Sequence, residues 1–230
     1  MKKIKGRAGY FTGGEKLLWG ASALVIVLMF CVFDGERYLT LTASLVGVTS
    51  LIFNAKGNPV GQALMVVFSV LYGIISLSFA YYGEMLTYLG MTLPMAVVSL
   101  VTWLKNPYQG NRSQVAVNRI SRRETGWMLV LTAAVTAVFY FILAFFHTSN
   151  LLPSTVSVTT SFLAAYLTFR RSPYYAVAYA ANDVVLIVLW TLASVEDAAY
   201  ISVVVCFVTF LVNDLYGFLC WRRMAAQQAK

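Results

Sequence analysis

The sequence predicts an all-α polytopic membrane protein with about eight transmembrane helices, arranged as two parallel internal repeats. Three observations carry this. Of the 230 residues, 60% are hydrophobic and only 11% charged, where a soluble domain holds roughly a quarter charged residues. Apolar runs of spanning length follow one another at short intervals. Basic residues fall on one side of those runs, with Arg37 the exception.

A helix crosses a bilayer with about 17–25 residues, and eight such segments can be drawn in order. The first, 17–33, follows the basic stretch MKKIKGRAGYFTGGEK. Its apolar run is long, and DGER follows it rather than an A-x-A-like cleavage motif, so it reads as a retained span and not a signal peptide. The second runs over 38–54. The third, 60–80, opens after Pro59, and the fourth covers 85–104. KNPYQGNRSQVAVNRISRRE then forms the one long polar connection, a linker at 105–125 that reads as a solvated hinge with arginines touching anionic lipid. The remaining spans are 126–147, 153–169, 174–194 (opening at Pro173) and 198–221.

With eight spans, one side carries Lys2, Lys3, Lys5, Arg7, Lys16, Lys56, Lys105, Arg112, Arg119, Arg122, Arg123, Arg170, Arg171, Arg222, Arg223 and Lys230. The other holds Asp34, Glu36, Arg37, Glu84, Glu196 and Asp197. The positive-inside rule then makes the termini (1–16 and 222–230) and the linker cytoplasmic. Trp103, Trp127 and Trp221 lie near cytoplasmic span ends, as an aromatic belt requires. The net charge of +8 therefore reflects orientation, not a nucleic-acid partner. Cys31, Cys206 and Cys220 lie in or beside apolar runs without metal spacing, and His147 has no ligand cluster near it. No cofactor or metal is expected.

The halves, 17–104 and 126–221, share a layout. Glu15 and Trp19 open one; Glu124 and Trp127 open the other. LIFNAKGNP (51–59) parallels YLTFRRSP (166–173), AYYGEM (80–85) parallels SVEDAA (194–199), and TWLKN (102–106) parallels CWRRM (220–224). Four spans per half enter from the same side, which predicts parallel repeats with a solute site near the midplane between them.

Asn182-Asp183 and Asn213-Asp214 sit inside apolar spans. Such carboxylates are expensive in a bilayer and mark polar pathways. At 1.5 Å per residue, Asp183 lies roughly 15 Å into its span. Trp190 is two turns on from Asp183, and Tyr216 shares a face with Asn213. Gln62, Ser69 and Tyr72 add polar groups in the third span, Tyr72 at about the depth of Asp183. Carboxyls, amides and aromatic faces at one level suit a flat polar ring, and a cationic one best.

AANDVVLIVLW (180–190) and FVTFLVNDLYGFLCW (207–221) resemble the last two core helices of the Pnu family of vitamin transporters. The most specific element is Asn213, Asp214 and Tyr216; LYG (71–73), YGEM (82–85) and PM (94–95) follow the same layout. The resemblance implies a SWEET-like three-plus-one-plus-three helix core behind an added first span, often trimeric, in the bacterial inner membrane. It implies uptake of a vitamin nucleoside, nicotinamide riboside in the name branch, by facilitated diffusion with trapping by a cytoplasmic kinase. Thiamine and riboflavin carriers are sister branches. Ala96 stands where the riboside branch has Gln, and its tryptophan cluster is reduced to Trp190.

The site expected from these readings comprises Asn182, Asp183, Trp190, Asn213, Asp214, Tyr216, Tyr72, Ser69 and Gln62. A proton-coupled variant would use Asp183 or Asp214. A membrane-embedded enzyme would need an acid–base or metal cluster that His147, Glu124 and Glu15 do not form in sequence, so no catalytic residue is expected. A receptor or scaffold would account for the tight hairpins but not for paired buried carboxyls.

Overall fold

The computed structural model describes residues 10–78, 82–148 and 150–229. Lys2, Lys3, Lys5, Arg7, Lys230 and residues 79–81 lie outside the described residues. Eight helices are long and apolar enough to cross a membrane: α1 (Gly13–Asp34), α2 (Tyr38–Ala55), α3 (Pro59–Ser78), α4 (Tyr82–Lys105), α5 (Arg122–Phe145), α6 (Leu151–Phe169), α7 (Tyr175–Ser194) and α8 (Ala198–Gln228). A short antiparallel hairpin of β1 (Pro107–Tyr108) and β2 (Asn111–Val115) lies between α4 and α5.

The helix ends have local causes. α1 starts earlier than the apolar run because Thr12 and Glu15 form a capping box, Glu15 Oε2 accepting the Thr12 N–H at 2.7 Å. α4 contains a wide π-helical turn over Thr87–Thr92. Pro94 follows it; a proline lacks the donor for a normal helical bond and crowds the preceding turn, and an extra residue relieves both. α8 continues past its expected end at 221 through Met224, Ala225 and Ala226, good helix formers, with Met224 buried.

α3 packs on α2, α7 lies between α6 and α8, and α2 meets α8. α1 and α5 are peripheral, exposing Leu17, Leu24 and Leu28, and Leu129, Val130 and Phe141. The main core joins α2, α3, α7 and α8 through residues such as Val48, Phe68, Leu186 and Phe207.

Matched contacts recur at the basic ends. Trp103 Nε1 donates to the Thr168 carbonyl at 3.0 Å, and Trp221 Nε1 to the Asn54 carbonyl at 2.7 Å. Thr168 and Asn54 stand at the same distance before Pro173 and Pro59. The two indoles are in contact, with ring centroids 5.4 Å apart. Glu15 takes the Lys56 ammonium at 2.9 Å, and Glu124 takes the Arg170 guanidinium through both oxygens, Nη2 at 3.0 Å. Lys56 and Arg170 again share a spacing to their prolines, as do Gly57 (φ 66°) and Arg171 (φ 56°), which make the left-handed turn residues. Glycine enters that region freely; Arg171 does so at a cost of about 1–2 kcal/mol.

The linker differs from the solvated hinge expected of it. It is a folded strap. The Val115 N–H donates to Gly57 O at 2.9 Å and the Asn118 N–H to Arg171 O at 3.0 Å. Gln228 clasps it from α8, accepting the Val117 N–H at 2.7 Å and donating to Val115 O at 3.1 Å. Val115 is fully buried, and these bonds satisfy backbone groups that a loop would otherwise give to water.

At the opposite end, Arg37 Nη2 meets Asp197 Oδ2 at 2.9 Å and Arg37 Nε lies 3.6 Å from Asp34. The one basic residue on the acidic side is thus neutralised locally. Its hydrogen bond to Asp197 holds that carboxyl below the usual range, so the link persists at neutral pH and is lost as acid protonates it.

Trp103→Phe and Trp221→Phe each remove the indole bond to a buried carbonyl that still accepts a turn N–H, from Arg171 at Thr168 and from Gly57 at Asn54. Each is expected to destabilise the protein by about 0.5–1.5 kcal/mol, by similar amounts, in denaturation of the detergent-solubilised chain.

Candidate functional site

Asp183 on α7 and Asp214 on α8 are 3% and 4% exposed. Their carboxyls meet within hydrogen-bonding reach. No N–H or hydroxyl among the described residues donates to Asp183 Oδ2. Two carboxyls in contact in apolar surroundings do not both carry charge; they share a proton or hold a cation between them.

The pair lines a cavity of about 40 Å³ near the centre of the bundle. That is room for water, against roughly 300 Å³ or more for a pocket that encloses a small molecule. Phe68, Phe207 and Phe210 supply apolar walls; Tyr88, Thr92, Ser161, Tyr179 and Asn182 supply polar groups. Tyr88 and Thr92 belong to the wide turn of α4, so Pro94 is the indirect cause of their placement. The TYLGMTLP stretch held the signal, a proline inside a span, that could have pointed to them.

Asn182 lines the cavity from a fixed position. Its side-chain oxygen accepts from Thr160 Oγ1 at 2.8 Å, Ser161 Oγ at 2.9 Å and Ser157 Oγ at 3.5 Å. These hydroxyls stand three and four residues apart on α6 and share a face.

Above the cavity lies a layer of rings. Tyr72 is 4.6 Å from Tyr88, 6.4 Å from Trp190 and 6.1 Å from Phe207, centroid to centroid. Tyr72 Oη is buried with no hydrogen-bond partner among the described residues. The expected Tyr72 and Trp190 thus come together with each other, and through Tyr88 with the cavity.

The other expected residues are engaged elsewhere. Asn213 Nδ2 donates to Ser22 Oγ on α1 at 2.9 Å and to Thr209 O at 2.8 Å. Tyr216 Oη donates to Glu15 Oε1 at 3.3 Å. Adjacent helical residues point about 100° apart, so the face with Asn213 and Tyr216 meets α1 while Asp214 meets α7. Gln62 Nε2 donates to Asn54 Oδ1 at 2.8 Å, tying α3 to α2. Ser69, fully buried, bonds to Met65 O in its own helix. Beyond Asp183 and Asp214, the structure buries Glu15, paired with Lys56, and Glu84, at 5% and 8% exposure. Among the described residues no group of three or more His, Cys, Asp or Glu could hold a metal ion.

Eight apolar helices around a buried polar cavity at mid-depth define a multi-pass membrane transporter. The sequence pattern of the nicotinamide mononucleotide transporter family matches residues 37–223, and the chain belongs to that family. The match begins after α1. The nicotinamide riboside transporter PnuC of Neisseria mucosa is 24% identical over 218 residues, covering 92% of this chain and 82% of the relative. The crystal structure of the vitamin B3 transporter PnuC has the same fold, with a TM-score of 0.82 at 22% identity, over 96% of this chain and 95% of the other.

Asn182→Ala removes the acceptor of the Ser161 and Ser157 hydroxyls beside the cavity, while Thr160 keeps its bonds to the Val156 and Ser157 carbonyls. It is expected to lower stability by about 1–3 kcal/mol, read as a fall in the thermal midpoint.

Proposed function

We propose that the chain carries nicotinamide riboside across the plasma membrane by facilitated diffusion, with trapping by a cytoplasmic kinase. The observation that carries this reading is the contact between Asp183 and Asp214 in a ring-walled cavity at mid-depth. A pyridinium ring is a flat cation. Two carboxyls favour its charge, and Tyr or Trp faces favour its π surface. The names borne by the Neisseria relative and the structural neighbour support the same solute. The basic ends and strap at one side support cytoplasmic termini.

In this reading the solute lies between two repeats, residues 17–104 and 126–221, as in other transporters built from repeats. Asp183, Asp214 and Asn182 contact its polar edge, and Tyr72, Tyr88 and Trp190 its ring. Gln62, Asn213 and Tyr216 act at one remove, by fixing α3 and α8 against their neighbours. The cavity has to widen for the solute, so α7 and α8 part from α3 and α4 during each cycle. The carboxyl pair also gives proton coupling a physical basis, which the same experiment addresses.

Purified protein in liposomes is expected to equilibrate labelled nicotinamide riboside to the outside level and no further. An imposed pH gradient leaves that level unchanged; accumulation above it would replace passive transport with proton coupling. Asp183→Asn and Asp214→Asn keep the shape of the pair and are expected to lower initial uptake about tenfold or more, the loss of a charged contact, while thiamine and riboflavin compete weakly. A wild-type protein that equilibrates none of the three vitamins ends the carrier reading.

A further inference from the structure

At the end of the bundle away from the termini, a second crevice of about 40 Å³ opens between α4, α6, α7 and the turn before α6. Its inner wall includes Trp190, and its mouth is formed by the exposed Asn150 and Glu196. Trp190 lies about 10 Å along α7 from Asp183 at 1.5 Å per residue. It also belongs to the ring layer with Tyr72 and Tyr88 that caps the central cavity.

Two buried polar side chains and a half-buried one meet at this crevice without partners among the described residues. Glu84 is 8% exposed and makes no hydrogen bond or ion pair among the described residues. Ser154, 3% exposed, and Thr148 have hydroxyl oxygens with no hydrogen-bond partner among those residues. Gly83 keeps them close: a methyl on it would come 2.5 Å from Leu143 Cδ2 and 2.8 Å from Thr148 Oγ1. Buried polar groups are almost always bonded, and each exception asks for an explanation. Helix packing does not supply one here, because none of the three groups ties one helix to another. The charged groups lining the crevice are both carboxyls, and its indole wall is a cation-binding face. The nearby guanidinium of Arg37 is engaged by Asp197 and Asp34.

We propose that this crevice is an outer recognition site where Glu84, Ser154 and Thr148 hold the positively charged end of the solute against Trp190 before the ring layer parts. The inference rests on the carrier reading above. It adds a second station on the route, separate from the carboxyl pair. At rest the crevice too has room only for water, so it widens at its mouth to take the ring, and the rest of the solute stays in solvent. A station on the route lowers the barrier to reaching the centre. It changes the rate of uptake and leaves the equilibrium affinity of the central site as it was.

The experiment compares wild-type protein with Glu84→Gln, a near-isosteric change that removes the charge. Initial uptake into liposomes is measured at limiting concentrations of nicotinamide riboside and of its uncharged dihydro form. Equilibrium affinity for nicotinamide riboside is measured in detergent. Uptake of the cation is expected to fall about fivefold to tenfold, with affinity unchanged and the uncharged form unaffected. Unchanged uptake overturns the proposal. So does an equal fall for both forms, or a loss of affinity matching the loss of rate. If Glu84→Gln does not fold, Ser154→Ala is held to the same criteria, with a fall of about threefold for one hydrogen bond. Wild-type protein that takes up no nicotinamide riboside overturns the carrier reading and the outer site together; uptake by wild type with no effect of either variant overturns the outer site alone.

Discussion

Asp183 and Asp214 touch in the middle of spans that hold no Lys or Arg at their depth. The contact is costly unless a proton or a cation lies between the carboxyls, and the surrounding structure is fitted to that constraint. Asn182, next to Asp183, is fixed by three hydroxyls of α6. Asn213, next to Asp214, is fixed by Ser22 and Thr209. Each Asn anchors the turn that carries its Asp. The carboxyls are therefore held facing each other by bonds of α7 to α6 and of α8 to α1, and the carboxyls themselves remain available to a third party.

The two halves are not equivalent at this level. Counting from the prolines, Ser69 of α3 occupies the place of Asp183 in α7; counting back from the tryptophans, Ala96 of α4 occupies that of Asp214 in α8. One half thus supplies both carboxyls, and the other supplies a small hydroxyl and a methyl. Toward α3 and α4 the cavity is lined by Met65, Phe68 and, from the wide turn, Tyr88 and Thr92. A carboxyl pair facing these neutral groups can accept a cation without meeting a second set of acids.

Hydropathy made the eight spans legible, because an apolar run of that length has few soluble alternatives. The paired Pro59 and Pro173, and the Trp-plus-basic ends, were legible as motifs; the structure adds that each Trp reaches across to a carbonyl in the opposite half. Helix rotation was not legible. Asn213 and Asp214 are neighbours in sequence, and which of them faces the cavity depends on Ser22 and Glu15 of α1, far away in the chain. Nor was the strap: Asn111–Val115 is polar enough to read as loop, and its order comes from carbonyls of Gly57 and Arg171 that only the folded bundle presents. Glu84 read as an outer-turn acid because its burial comes from α6 and the turn before it, not from its own helix.

Closure is unequal at the two ends of the bundle. Separating the halves at the strap end breaks two buried indole–carbonyl bonds, each about 0.5–1.5 kcal/mol, and also the hydrogen bonds of the linker to both left-handed turns. At the other end the layer of Tyr72, Tyr88, Trp190 and Phe207 is joined by ring contacts, each worth about 0.5–1.5 kcal/mol. Rings slide and re-stack against a flat solute without leaving a polar group unmet, and the Arg37–Asp197 pair is partly exposed and screened by solvent. Parting the ring layer is therefore the cheaper motion. On the proposed carrier reading, a flat cationic solute stacking on Trp190 would replace the contacts its passage removes, so the cost of opening falls for the solute that suits the cavity beneath.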